Sequence, residues 1–191
     1  MITIELLQNI ANKLGIELAI MQAITKVESR SAGFQKGLPV ILFERHIFYR
    51  QLQKQGFNVE QLAKKHPDLV NSSAGGYLGG ISENYRLAQA KKIDIDSAIE
   101  STSWGLFQIM GFYWQLLGYP SAQHFEQHMI ESEAQQLDAF YRFISHQSNC
   151  KLLKAMKDKD FSTFAKLYNG PAYKKNNYDI KLKEAYENYA K

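Results

Sequence analysis

"IELAIMQAITKVES", residues 16–29, reads as a helix with one residue out of place. At about 100° per residue, with Ile24 taken as zero, Ile20, Met21 and Val27 all fall within about 60° of it. Gln22 and Lys26 fall on the opposite side. Glu28 lands at about 40°, inside the apolar stripe. Glu17 also lies on the stripe, but in the first turn, where the helix dipole and solvent accommodate a carboxylate. Glu28 lies at the other end, where the dipole opposes negative charge and burial opposes it again. An apolar pocket can raise a glutamic acid from about 4.3 to about 6, within reach of proton transfer near neutrality. The alternative is a buried glutamate paired with an arginine, for which Arg45 and Arg50 are the candidates.

Working outward, most of the chain carries the same 3.6-residue period. Leu6, Leu7, Ile10 and Leu14 follow a Thr3 cap and stop at Gly15. "RHIFYRQLQKQG" reads as helix closed by Gly56, and helical patterns return at "ENYRLAQAKK" and "WGLFQIMGFYWQLLG". Residues 121–147 hold one long helix or two. "DFSTFAKLYNG" opens on Asp160 as N-cap and stops at Asn169-Gly170, and an amphipathic helix spans about 177–190. "PVILFE" (39–44) is the one clear strand candidate. "HPDLVNSSAGGYLGG" (66–80), rich in turn formers, predicts a long loop or a small irregular lobe. The expectation is a mainly α fold with a short-stranded lobe, as one domain over residues 1–191.

The 191 residues are 45% hydrophobic and 22% charged, an ordinary globular balance that excludes a disordered chain. The net charge of +4 is spread except for a Lys-rich C-terminal third. That is compatible with a solvated surface or an anionic polymer, but no nucleic-acid motif accompanies it, so nucleic acid is not an expected partner. One cysteine, Cys150, permits no internal disulfide. No apolar run reaches membrane-spanning length and the N-terminus lacks a signal-peptide pattern. Cytoplasmic synthesis, no membrane insertion and a monomer are the expectations.

Three other places could carry chemistry. In "STSWGLFQIMGFYW" (101–114), Gly105 permits close backbone approach and Gln108 sits among apolar residues. Its amide either bonds the core backbone or faces a groove as a ligand for hydroxyl or N-acetyl groups. In "FAKLYNGPAY" (164–173), Tyr168 and Asn169 either form a helix C-cap or address a reacting carboxyl group. Glu44, ending the strand candidate, either pairs with Arg45 or Arg50 or serves as a second carboxylate. "AGGYLGG" lacks the Lys-Ser/Thr of a phosphate loop. His124 and His128 are spaced i, i+4 without a third ligand, so neither a metal nor a cofactor is expected.

"VES", "SWGLFQIM" and "LYNGPAY", in that order, resemble the signature of lysozyme-like glycan-cleaving domains, including goose-type lysozymes and lytic transglycosylases. "ILFERHIFYR", "GGYLGG", "SWGLFQIMGFYWQLLGY" and "YNGPAYKKNNYDIKL" extend the resemblance over most of the chain, to the N-acetylmuramidase family of phage endolysins. The resemblance implies a helical bundle around a substrate groove, with peptidoglycan glycan strands as the partner. Glu28 would be the general acid at the β-1,4 bond between N-acetylmuramic acid and N-acetylglucosamine. Ser103, Gln108, Tyr168 and Asn169 match the family's groove positions and would contact the sugars. Trp104 is a further expected sugar contact, and Glu44 is the candidate for the second carboxylate that ordinary hydrolysis requires. If no second carboxylate serves, the muramyl hydroxyl could attack instead, as in a lytic transglycosylase. A groove without chemistry would be a peptidoglycan-binding module. The resemblance also implies action at the cell wall after release through a membrane lesion or delivery by a secretion machine.

Overall fold

Thr3 caps the first helix as its position predicts, its hydroxyl accepting the Leu6 amide at 3.2 Å, and Gly15 ends that helix in the left-handed region at φ 66°. The computed structural model describes residues 2–28 and 32–191. Helix α1 is Ile4–Leu14 and α2 is Leu18–Glu28. Ser29, which the sequence pattern included in α2 and which completes the "VES" block, lies outside the described residues. A hairpin of β1 (Phe34–Gln35) and β2 (Leu38–Pro39) leads to β3 (Ile41–Phe43), then α3 (Arg45–Lys54) and α4 (Val59–Lys65). No helix or strand occurs from 66 to 80, as its turn formers predict. Next come α5 (Ser82–Lys91), α6 (Ile95–Glu100), β4 (Thr102–Trp104) and β5 (Ile109–Met110). Residues 121–147 resolve as two helices, α7 (Ala122–Glu131) and α8 (Glu133–Ser145), because Ser132 is extended at φ −165° and ψ 160°. The chain closes with α9 (Cys150–Lys157), α10 (Phe161–Asn169) and α11 (Tyr178–Tyr189). The fold is mainly helical with small antiparallel sheets.

The chain forms two compact units, one of residues 1–31 and 137–191 and the other of residues 32–136. In the terminal unit α2 packs on α1 and α11, and α10 packs on α9 and α11. Ile20, Met21 and Ile24 of the α2 stripe are buried, with Leu7 and Ile10 of α1, Phe164 of α10 and Leu182 of α11. Each such side chain contributes about 1.5–3 kcal/mol on burial. Asp160 caps α10, accepting the Thr163 amide at 3.0 Å.

In the central unit β3, β4 and β5 form an antiparallel sheet in which Leu42 faces Ser103 and Ser103 faces Met110. Helix α5 packs against β3 and α6. The strand candidate over 39–44 shortens to 41–43, because Pro39 belongs to β2 and Glu44 is the N-cap of α3.

The helix predicted over "WGLFQIMGFYWQLLG" is absent. Its first half is the β4–β5 hairpin, and a short 3₁₀ turn follows at Gly111–Tyr113. The reason is local and tertiary together. Gly105 has φ 69° and Gln108 has φ 48°, neither of which a helix admits. A Cβ on Gly105 would fall 2.5 Å from the Gln136 side chain. Gln136, fully buried, accepts the Leu106 amide at 2.8 Å and donates to the carbonyls of Met129 and Gly33 at 2.9 and 3.3 Å. An amide reaching in from α8 thus occupies the space that a helical turn would need.

Candidate functional site

Glu28 is the last residue of α2 and is half-buried, at the edge of the stripe that Ile20 and Ile24 bury. Asn169, the last residue of α10, donates its side-chain amide to Glu28 Oε1 at 3.0 Å. Gly170, at φ 75° and ψ −176°, ends α10 directly after it. Tyr168, one residue earlier, lies in an aromatic setting. Its ring stacks on Phe164 at 5.4 Å and meets Phe140 and Phe143 edge-on at 6.0 and 6.2 Å. Burial pushes the Tyr168 phenol well above the ordinary tyrosine value, and the negative charge of Glu28 pushes it further. Tyr168 therefore keeps its proton at any physiological pH. Glu28 of the first motif block and Asn169 of the last, 141 positions apart, meet at one carboxyl group.

The second carboxylate candidate, Glu44, is the N-cap of α3 but makes no side-chain capping bond. Its Oε2 accepts the Tyr77 hydroxyl at 2.8 Å and stands 3.2 Å from His46 Nδ1. The arginine pairing considered for Glu44 is not what the structure records. Arg45 turns to the glycine-rich loop, donating through Nε and Nη2 to the carbonyls of Ser73 and Ala74 at 3.0 and 3.3 Å. Partial desolvation, then the hydrogen bond to Glu44 and its charge, push the Tyr77 phenol up to about 12.

Sequence reasoning missed Tyr77 and His46. It also missed the buried pair beneath them, Glu83 and Arg86, whose Oε2 and Nη1 are 2.8 Å apart. Burial alone would raise Glu83, but the amides of Gly79 and Leu78 and the Arg86 guanidinium outweigh it, and the carboxyl is held below its usual range. A signal for the pair was present in the sequence. Glu83, Arg86, Leu87 and Ala90 share the buried stripe of α5, so two charges stand where the period calls for apolar side chains.

Of the two settings considered for Gln108, the residue is exposed, with its amide bonded to the backbone of its own turn. The Ser103 hydroxyl donates to its Oε1 at 2.7 Å, and its Nε2 donates to the Gly105 carbonyl at 2.8 Å. Ser103 is itself buried, so it acts on Gln108 more than on solvent. Trp104 is 1% exposed, with its ring edge-on to Phe125 and its indole N–H donating to the Ile99 carbonyl at 3.2 Å. Its expected role against sugar is corrected: the ring belongs to the core and offers no open face.

His124 and His128 are each engaged locally, with Ser121 and with Gln135. Among the described residues no group of three or more His, Cys, Asp or Glu is arranged to hold a metal. No helix of the described residues is long and apolar enough to cross a membrane.

A family model described as N-acetylmuramidase matches residues 17–190. Among solved structures, the crystal structure of the endolysin of Burkholderia phage AP3 is similar at 48% sequence identity with a TM-score of 0.93. That similarity covers 99% of this chain and 71% of the endolysin. No curated protein matches the chain.

Proposed function

This chain belongs to the N-acetylmuramidase family and is a lysozyme-type glycoside hydrolase acting on peptidoglycan, and from that premise we propose that Glu28 delivers the proton in glycan cleavage. The bond is the β-1,4 link between N-acetylmuramic acid and N-acetylglucosamine. The observation that carries the reading is the meeting of Glu28 with Asn169 at 3.0 Å, beside a phenol that feels its charge. Glu28 and Asn169 each end a helix, so two negative helix poles oppose charge on the carboxyl group. The poles favour a held proton, while the Asn169 amide, donating to Oε1, favours the charged form. The Asn169 amide fixes one oxygen and leaves the orientation of the other defined. A positioned acid contributes about 10²–10⁴-fold to such a reaction.

Glu44 is the proposed second carboxylate, activating the water that attacks the anomeric carbon. The Tyr77 hydroxyl supports that role, since it donates to Glu44 Oε2 at 2.8 Å, with His46 Nδ1 3.2 Å from the same oxygen. Gln108, with its amide braced by Ser103, Tyr168 and Asn169 are proposed as substrate contacts. The similar endolysin supports action on the cell wall as a phage or prophage lysin, and release through a membrane lesion, or delivery of a secreted effector by a secretion machine, is the proposed route.

Glu28→Gln should abolish clearing of purified peptidoglycan and leave the circular dichroism spectrum unchanged. Clearing at the wild-type rate would reject the assignment. Mass spectrometry of the wild-type digest should find reducing ends carrying one added water. Anhydro-muramyl ends would mean that the muramyl hydroxyl attacks and that Glu44 has another role. Bound but intact strands would mean a binding module.

A further inference from the structure

One buried side chain grips the backbone on both sides of the Tyr77–Glu44 hydrogen bond. Glu83, fully buried, accepts the Phe43 amide through Oε2 at 3.2 Å and the Leu78 and Gly79 amides through Oε1 at 2.6 and 3.0 Å. Phe43 directly precedes Glu44, and Leu78 directly follows Tyr77. Arg86, 3% exposed, completes the grip. Its Nη1 donates both to Glu83 Oε2 at 2.8 Å and to the Phe43 carbonyl at 3.1 Å, and its Nη2 donates to the Asp68 carbonyl at 2.7 Å. The guanidinium also stands over the Phe43 ring at 5.0 Å. Both polar groups of the Phe43 backbone are thus held by one ion pair.

The other side of the bond needs such an anchor. Tyr77 and Leu78 are flanked by Gly75, Gly76, Gly79 and Gly80, all with φ between 55° and 97°. A run so rich in glycine loses more conformational freedom on ordering than any other composition and has few side chains to hold its own shape. A phenol carried on it reaches a fixed point only if something outside the run defines where the run lies. Glu83 does this with two consecutive amides, while a buried ion pair adds little net stability by itself.

We propose that Glu83 is the positioning residue for Glu44: by tying residues 43 and 78–79 to one carboxylate, it sets the span across which the Tyr77 hydroxyl orients Glu44. Arg86 keeps that carboxylate charged and directed. The inference rests on the role given to Glu44 above.

The test reads Tyr77 directly, by NMR titration of the ¹³Cζ-labelled tyrosine rings. Glu44 and Glu83 face its hydroxyl, with Arg45 and His46 of α3 nearby. Glu44→Gln supplies the reference for a Tyr77 without its charged partner. Glu83→Gln should lower the Tyr77 titration from about 12 by as much as Glu44→Gln does, more than the loss of Glu83's own charge, the smallest cause, would give. Burial, the leading cause, keeps it raised in both variants. The double variant Glu83→Gln/Arg86→Met provides the same reading without a stranded guanidinium. Both should lower kcat on peptidoglycan by about 10- to 100-fold with KM little changed, the pattern of a misplaced group acting in the transition state. Tyr77→Phe should reproduce part of that loss. A Tyr77 titration unmoved in either folded variant overturns the proposal, and so does a lowered titration with kcat intact while Glu44→Gln is inactive. A fully active Glu44→Gln instead rejects the catalytic reading of Glu44, which the titration does not depend on.

Discussion

Glu28 and Glu44 are held in opposite ways. Glu28 ends a helix, and Asn169 reaches its carboxyl group by side chain alone from 141 residues away. Glu44 opens a helix, is met by a phenol and an imidazole, and follows a residue whose backbone is pinned by a buried ion pair. On the roles proposed here, the difference is chemical. A proton donor needs surroundings that resist charge, and the C-terminal pole of α2 beside its buried apolar stripe opposes charge there. A carboxylate that directs water needs donors in fixed places, and fixed donors need a fixed backbone. The terminal unit holds its carboxyl with one side-chain amide at the edge of a buried apolar stripe. The central unit meets its need with a polar cluster.

Substitutions that touch one arrangement and spare the other sharpen this contrast. The largest effect is on turnover: Glu28→Gln and Glu44→Gln should each cost about 10²–10⁴-fold in peptidoglycan hydrolysis. Only the first should lower the Tyr168 titration, which stays above 10.0 because burial is its leading cause. Next comes stability. Removing Glu83 alone strands a buried guanidinium and should cost about 3–5 kcal/mol in urea unfolding, whereas Glu28→Gln should leave the unfolding midpoint nearly unchanged. A stable Glu83→Gln protein would break the comparison.

Acid should separate the two regions further. Glu83 is held below its usual 4.5, so the stability it contributes is present above that pH and lost as pH falls through its lowered folded value. Fluorescence-monitored unfolding should therefore weaken below about pH 4.5, and the double variant Glu83→Gln/Arg86→Met should flatten that decline. The smallest effects belong to single hydroxyl and cap groups. Tyr168→Phe keeps the ring stack and should change stability by about 1 kcal/mol or less. Asp160→Ala removes the α10 cap and should cost about 1 kcal/mol in thermal unfolding.

Much of this was legible in the linear chain, and the particular residues show why. Thr3, Gly15 and Asp160 act on their own helix ends through contacts three or four residues long, so their roles follow from local spacing. Glu28 stood out because it broke a period that its own helix sets. The hairpin at 102–110 was not legible. Its apolar residues fit a helical period equally well, and the choice against it was made by Gln136, which lies 30 residues on from Leu106. Trp104 went wrong for the same reason: an aromatic in a motif looks available until its sheet and Phe125 enclose it. Gln108 could be core or groove-facing by its neighbours in sequence, and the turn at φ 48° leaves it exposed.

Spacing and residue type alone determined the mainly helical class and the odd carboxyl at position 28, because helix periodicity and capping act over a few residues of chain, and the ordered motif blocks carried the family resemblance. Tertiary structure decided which groups surround each carboxyl: Asn169 at Glu28, Tyr77 and His46 at Glu44, and Glu83 with Arg86 beneath them. Those contacts link positions from 2 to 141 residues apart. Hydrogen bonding selects them by distance and direction in space, and no repeating pattern along the chain records either.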